Sequence, residues 1–357
     1  MEKLCSLLSS IKNNLKPDDE KRLCDLFDFL KTDEGRKFIG FNNELLTEIV
    51  FHTVIHCENL LGILNKLNET TNFATQLNSK ELVILISSIL LHDAGLSLIP
   101  IGKDVEIKIK GLMGFSLREL RRNHSTRFEE WIDFKSNKDL LLRKGFLEKD
   151  EIPAITLLSK YHSKSATTLG DCLNKSKLSL TNDSLLNQVS IEKERLKSLI
   201  SILRLIDACD VNKNRVTQRH LELSRKYIEE FNNLLMVQPE NETIKDNIQF
   251  LEEQMFHYQK HLCFSGTLFS LDALKKIEIV LVPSLDQPYS KIVSIFNATK
   301  RTNTFSGPQE DILEELNAEG GIVKYALQQV GIEFAPEPIR LFDPYIDNLV
   351  DEILERA

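Results

Sequence analysis

No stretch of the chain reaches the ~18 consecutive apolar residues that a membrane-spanning helix requires, so no such span is expected. The opening residues, MEKLCSLLSSIKNN, lack the basic start, long apolar core and small-residue cleavage site of a secretory signal. Cysteine is sparse: six residues (5, 24, 57, 172, 209 and 263), with no C-x-x-C pair and no regular spacing. This pattern gives no sign of a disulfide framework. It predicts reduced thiols in a cytoplasmic protein, several of them in helical cores. Glycine and proline are also scarce, at 14 and 10 of 357 residues, and there is no low-complexity tract. An excess of positive charge is missing too, the net charge being −8. A surface that holds long nucleic acid by neutralising phosphates is therefore disfavoured. A small anionic substrate is not, because bound cations can supply positive charge locally.

What is present is helix after helix. Up to about residue 255 apolar residues recur at i, i+3, i+4 and i+7 with little β-alternation. The spacing predicts helices near 18–32, 43–68, 79–92, 115–134, 151–162, 190–210, 216–236 and 242–260. Asn78 and Glu81 form a capping-box pattern, Pro17 and Pro153 suit a first helical turn, and Gly95 reads as a stop. From about 262 the texture changes. KKIEIVLVPS (275–284) and SKIVSIFNA (290–298) read as a hairpin or strand pair, 308–331 as a helix ending at Gly331, and IEFAPEPIRLF as an edge strand or extended segment. The final PYIDNLVDEILERA reads as a short amphipathic helix. The expected organisation is mainly α. Residues 1–40 form an N-terminal helical segment, 41–260 a helical domain and 261–357 a small α+β domain.

Five of the predicted helices carry a histidine or aspartate within an apolar stripe. On the first, Leu45, Ile49, His52, His56, Leu60, Ile63 and Leu67 share a face. The second, LVILISSILLHDAG, is almost wholly apolar and ends in His92–Asp93. On the third, Leu117, Leu120, His124, Phe128 and Trp131 follow one stripe, and on the fourth Ile155, Leu158 and His162 do. On the fifth, Leu196, Leu199, Ile200 and Leu203 lead to Asp207, with Asp210 one turn later. Singly, each is better explained as a hydrogen-bonded core residue. Together they strain that explanation, because burying titratable groups without partners costs several kcal/mol each. Convergence on cations removes the cost, and imidazole with carboxylate is a donor set that divalent transition metals accept. Four histidines and two aspartates suit two ions, an arrangement that activates water against phosphorus. His257 and His261, four apart near the domain junction, have no third ligand at useful spacing and are assigned structural roles.

The order of these motifs resembles the HD superfamily of metal-dependent phosphohydrolases, a helical bundle with a His, a later His-Asp pair and a final Asp. Here the matching residues are His56, His92, Asp93 and Asp207. His124 and His162 match the two further histidines of members that hold two metals. FHTVIHCENLL, LLHDAG and LRLIDACDVNKNR look like segments of the bacterial HD-CE subgroup, and the likeness covers roughly 40–220. The resemblance implies an HD-type bundle and two divalent ions (Mn, Fe, Zn, Ni or Mg), with Asp93 bridging. It implies hydrolysis of a phosphoester by a metal-activated water. His52, one turn from His56, is a candidate proton donor or a support for a ligand's tautomer, about evenly with a structural role. Lys160 joins Asp93 and His52 in the candidate catalytic group, and Arg122, Lys213 and Arg215 are candidates for holding substrate oxygens. Asp210 is the alternative to Asp207 as ligand, or a partner for Arg215. Residues 96–115 read as a loop or hairpin beside the metals. No GYP-like motif is present, so the substrate of the cyclic-di-GMP phosphodiesterases does not transfer. The expected partner is a small phosphorylated substrate, a nucleotide first, with a homodimer or partner protein at the C-terminal domain and no membrane. A nucleotide-binding scaffold and a single-strand nuclease are the competing functions. An HD oxygenase, using the same cluster as a di-iron site to cleave a C–C bond, is the least favoured.

Overall fold

A computed structural model describes residues 2–39, 54–95, 116–118, 124–133, 137–163, 185–216, 218–288, 291–292, 316 and 322–343. Helices dominate. In chain order they are α1 (Glu2–Ser10), α2 (Pro17–Lys31), α3 (Asp33–Phe38), α4 (Val54–Thr71), α5 (Ser79–Leu91), α6 (Arg127–Asp133) and α7 (Asn137–Arg143). They continue with α8 (Ile152–Tyr161), α9 (Lys193–Ala208), α10 (Gln218–Val237) and α11 (Glu242–Leu262). Strands β1 (Phe264–Leu271) and β2 (Ile277–Pro283), helix α12 (Ile322–Gln328) and strand β3 (Phe334–Leu341) follow. None of the described helices is long and apolar enough to cross a membrane.

The apolar character of α5, α8 and α9 sets the architecture. Every residue of α5 from Glu81 to Leu91 is buried, as is all of α8 and the stretch of α9 from Leu196 to Ile206. Helices apolar on all sides belong at the centre of a bundle, and these three pack on one another. The capping box is formed at α5: the Asn78 side chain accepts from the Glu81 N–H, and the Glu81 carboxylate accepts from the Asn78 N–H. Glu81 is also gripped by Arg195 through two 2.7 Å contacts, which ties the start of α5 to α9. Around this centre, α1 packs on α4 and α2 on α5.

The C-terminal strands share the same hydrophobic core, which runs from Leu4 to Ile339. β1 pairs antiparallel with β2, and β2 pairs parallel with β3. β3 is an edge strand, where Pro336 and Pro338 do no harm to a ladder. The expected pairing of 275–284 with 290–298 is corrected. The β2 strand lies between β1 and β3, so both its edges are taken, and Lys291 and Ile292 turn helically off Pro288. The β1 strand escaped notice because CFSGTLFS lacks clean alternation and contains Gly266, at φ 153°. Helix α12 ends in a turn closed by Gly331, at φ 78°, as the sequence predicts.

A second correction concerns 115–134. His124, Ser125 and Thr126 form a turn ahead of α6, so His124 does not lie within a helical stripe. Leu117 packs with Tyr227, Phe231, Ile244 and Leu251 of the α10–α11 hairpin, away from Phe128 and Trp131. Ser116 to Arg118 are clamped to α11: the buried Asn247 accepts from the Leu117 N–H at 2.7 Å, and Arg118 pairs with Asp246 and Glu253. The readings of 96–115 and of the final helix, together with His52 and Arg122, lie outside the described residues.

Candidate metal centre

The three central helices deliver their ligands at their carboxyl ends. His92 caps α5, His162 caps α8, and Asp207 is the penultimate residue of α9. Helix C-termini carry partial negative charge, which suits a cation. His92 and His162 are built alike. Nδ1 of His92 donates to the Ile89 carbonyl at 3.0 Å, and Nδ1 of His162 donates to the Ser159 carbonyl at 2.6 Å. A carbonyl can only accept, so Nδ1 carries the proton and Nε2 faces the cluster. His56, buried in the first described turn of α4, and His124, in the turn before α6, complete a ring of four imidazoles.

Asp93 stands at the middle. Its Oδ2 is 2.8 Å from His92 Nε2 and 3.8 Å from His56 Nε2, while its Oδ1 is 3.3 Å from His124 Nε2 and 3.7 Å from His162 Nε2. One carboxylate oxygen thus faces each pair of histidines. Asp207 Oδ1 lies 3.3 Å from His56 Nε2. Three overlapping triads, His56–His92–Asp93, His92–His162–Asp207 and Asp93–His124–His162, each bring their ligand atoms within 4.8 Å of one another. All six residues expected as ligands therefore come together. The His124 and His162 Nε2 atoms approach to 3.0 Å, and those of His56 and His92 to 3.3 Å. Nitrogens crowded in this way need a proton or a cation between them, and the donor set fits a divalent metal.

Five of the six are buried, while the Asp207 side chain keeps 28% of its surface accessible. It is nevertheless closely surrounded. Burial disfavours its charge, yet His56, His92 and His162 hold its carboxyl well below the usual range. Burial also acts on the histidines. It pushes His162 down to about 3, helped by the neighbouring His92 and His124. At His92 burial pulls the same way, but the adjacent Asp93, with Asp207 and the Ile89 carbonyl, outweighs it and lifts the group to about 9. Burial drives the neighbouring Cys57 and Cys209 thiols upward, so they stay neutral and are poor ligands.

A raised His92 sets a competition between proton and cation. Below about pH 9 a cation must displace the His92 proton to use Nε2. Affinity for Mn²⁺ is therefore expected to climb with pH between 6.5 and about 9, by up to ~tenfold per unit. Calorimetry at pH 7.5 in buffers of different ionisation enthalpy should register release of about one proton as the site containing His92 fills. Uptake with no proton release and no pH dependence would contradict this.

The candidate substrate-binding and proton-transfer residues are placed differently. Lys160 is buried and paired with Glu129 at 2.5 Å. Lys213 pairs with the exposed Asp286 at 2.8 Å. Arg215 is turned to Asp210, whose carbonyl accepts from it at 2.9 Å. Asp210 does not join the triads. Its carboxylate instead holds His56 Nδ1 at 2.7 Å. Of the two roles the sequence left open for it besides structure, it takes the pairing with Arg215. Arg204 was missed by sequence reasoning. It is buried one turn before Asp207, and its guanidinium donates to the Tyr161 carbonyl at 2.9 Å, bracing α9 against the end of α8 beside His162. A buried arginine in an apolar stripe, i−3 from a ligand, was the available signal.

A helical bundle with a largely buried cluster of four histidines and two aspartates, able to hold a metal, is the arrangement of an HD domain. The family model described as HD-CE matches residues 32–271, about two thirds of the chain, and the protein belongs to that family. No curated protein and no solved structure matches it.

Proposed function

We propose that the protein is a metal-dependent phosphohydrolase that cleaves a phosphoester bond of a nucleotide or related phosphate ester. One observation carries the reading: Asp93 turns one oxygen to His56 and His92 and the other to His124 and His162. A carboxylate so placed suits two divalent ions, Mn, Fe or a similar metal, in adjacent positions. Bound there, such ions lower the pKa of water and offset the charge of a phosphoryl group. His56, His92, Asp93 and Asp207 would hold the first, and Asp93, His124 and His162 the second. Asp207, the one of the six with an accessible side chain, marks the side from which substrate would approach.

Recognition of the phosphate falls to basic side chains. Lys213 is a reasonable contact, because an exposed ion pair such as Lys213–Asp286 is worth only ~0–1 kcal/mol and exchanges easily for a phosphate. Lys160 and Arg215 are engaged in more buried pairs. Arg122 as a phosphate contact and His52 as proton donor to the leaving oxygen complete the proposal.

The test is turnover by the full-length protein loaded with Mn²⁺, on a panel of nucleotides, phosphomonoesters and phosphodiesters. Product release that stops on chelation and returns with metal is the expected outcome. Metal uptake with no turnover on any member sinks the hydrolase reading in favour of a nucleotide-binding scaffold. Cleavage confined to single-stranded DNA or RNA replaces it with a nuclease.

A further inference from the structure

The C-terminal strands carry no chemical motif, yet they reach the metal cluster through one short segment, Cys209 to Arg215. The geometry points to Asp210 as a positioning residue that fixes the His56 imidazole for cation binding, held in place by β1 and α11. This rests on the metal-centre reading above.

His92 and His162 each find an acceptor for Nδ1 in their own helix, three residues back. Among the described residues, the partner of His56 Nδ1 is Asp210, 154 residues away in sequence, at 2.7 Å, and both residues are buried. An ionised carboxylate accepts and cannot donate, so the proton sits on Nδ1 and the Nε2 lone pair faces Asp93 and Asp207. Arg215 approaches the same carboxylate oxygen, with Nε 3.4 Å from Asp210 Oδ2 and Nη1 donating to the Asp210 carbonyl.

The segment is braced from the C-terminal strands and α11. The Thr267 hydroxyl in β1 donates to the Cys209 carbonyl at 2.6 Å, a buried bond adjacent to Asp210. The Asn212 N–H donates to Nδ1 of the buried His261 at the end of α11, at 3.2 Å. Two hydrogen bonds, one from β1 and one from α11, thus converge on the residues flanking Asp210. This gives the sheet a part in the metal centre, and it gives His261 a task.

The experiment measures binding of Mn²⁺ alone to the full chain, without turnover. Asp210→Asn should weaken the site containing His56 by ~10–100-fold, the usual consequence of losing an outer carboxylate. Asp210→Glu should recover part of that loss, and Thr267→Val should weaken binding in the same direction by a smaller factor. Independently of any variant, ¹⁵N-histidine spectra of the metal-free wild-type protein should place a proton on Nδ1 of His56. Equal Mn²⁺ affinity in Asp210→Asn and wild type, or a neutral His56 protonated at Nε2, overturns the assignment and leaves the hydrolase reading standing. A wild-type protein that takes up no cation overturns both.

Discussion

Asp93→Ala should strip the protein of bound metal and reduce turnover by on the order of a thousandfold or more, the equivalent of several kcal/mol of lost metal-ion catalysis. The size of the effect follows from position. Asp93 is the one residue whose two oxygens face both histidine pairs, so its loss damages both halves of the cluster at once. Removing a single histidine should be less severe. His124→Ala takes a ligand from the Asp93–His124–His162 group and leaves His56, His92, Asp93 and Asp207 in place. Equilibrium dialysis against Mn²⁺ separates the cases: no ion retained by Asp93→Ala, about one by His124→Ala. A second readout comes from His92, which is held at about 9 chiefly by Asp93 against the effect of burial. In Asp93→Ala its titration should fall well below that value. Retention of both ions by Asp93→Ala would remove Asp93 from the centre of the site.

Gly95→Ala should be nearly as damaging, although Gly95 bears no functional group. A Cβ at 95 would stand 2.3 Å from the His124 carbonyl oxygen and 2.9 Å from the Phe128 nitrogen. Both are backbone atoms, so no side chain can swing away to make room. The turn carrying His124 must shift or the variant must carry the clash. Overpacking of this kind costs ~3 kcal/mol or more where backbone has to move. The expected result is a lowered denaturation midpoint together with selective loss of the ion held by His124 and His162. A variant that melts like wild type and keeps two ions would show that the two turns tolerate separation.

The parts of the site legible in the sequence are those where helical periodicity carried the signal. His56, His162 and Asp207 each continue an apolar stripe, and each is found where the stripe leads. His92–Asp93 stood out because α5 is so apolar that a terminal carboxylate demanded a partner. His124 was found for the wrong local reason. Its stripe joined Leu117 to Phe128, but those residues belong to separate apolar clusters with a turn between them. The turn nevertheless brings His124 Nε2 to 3.0 Å from His162 Nε2 and 3.3 Å from Asp93 Oδ1. For the basic residues, sequence shows a charge without its partner: Glu129 beside Lys160 and Asp210 beside Arg215 appear only in space. Long-range contacts were illegible for the same reason: nothing in CFSGTLFS announces that Thr267 will close on the Cys209 carbonyl.

The most direct measurement is anomalous scattering from crystals of the full-length protein grown or soaked with Mn²⁺. Two peaks should appear on either side of Asp93. One would be bounded by His56, His92 and Asp207, the other by His124 and His162, about 3.5–4 Å apart as in two-metal hydrolytic centres. A single peak, on the His56 side, would reduce the site to one ion and put the water-activating arrangement in doubt. No peak within reach of Asp93 would contradict the metal centre itself.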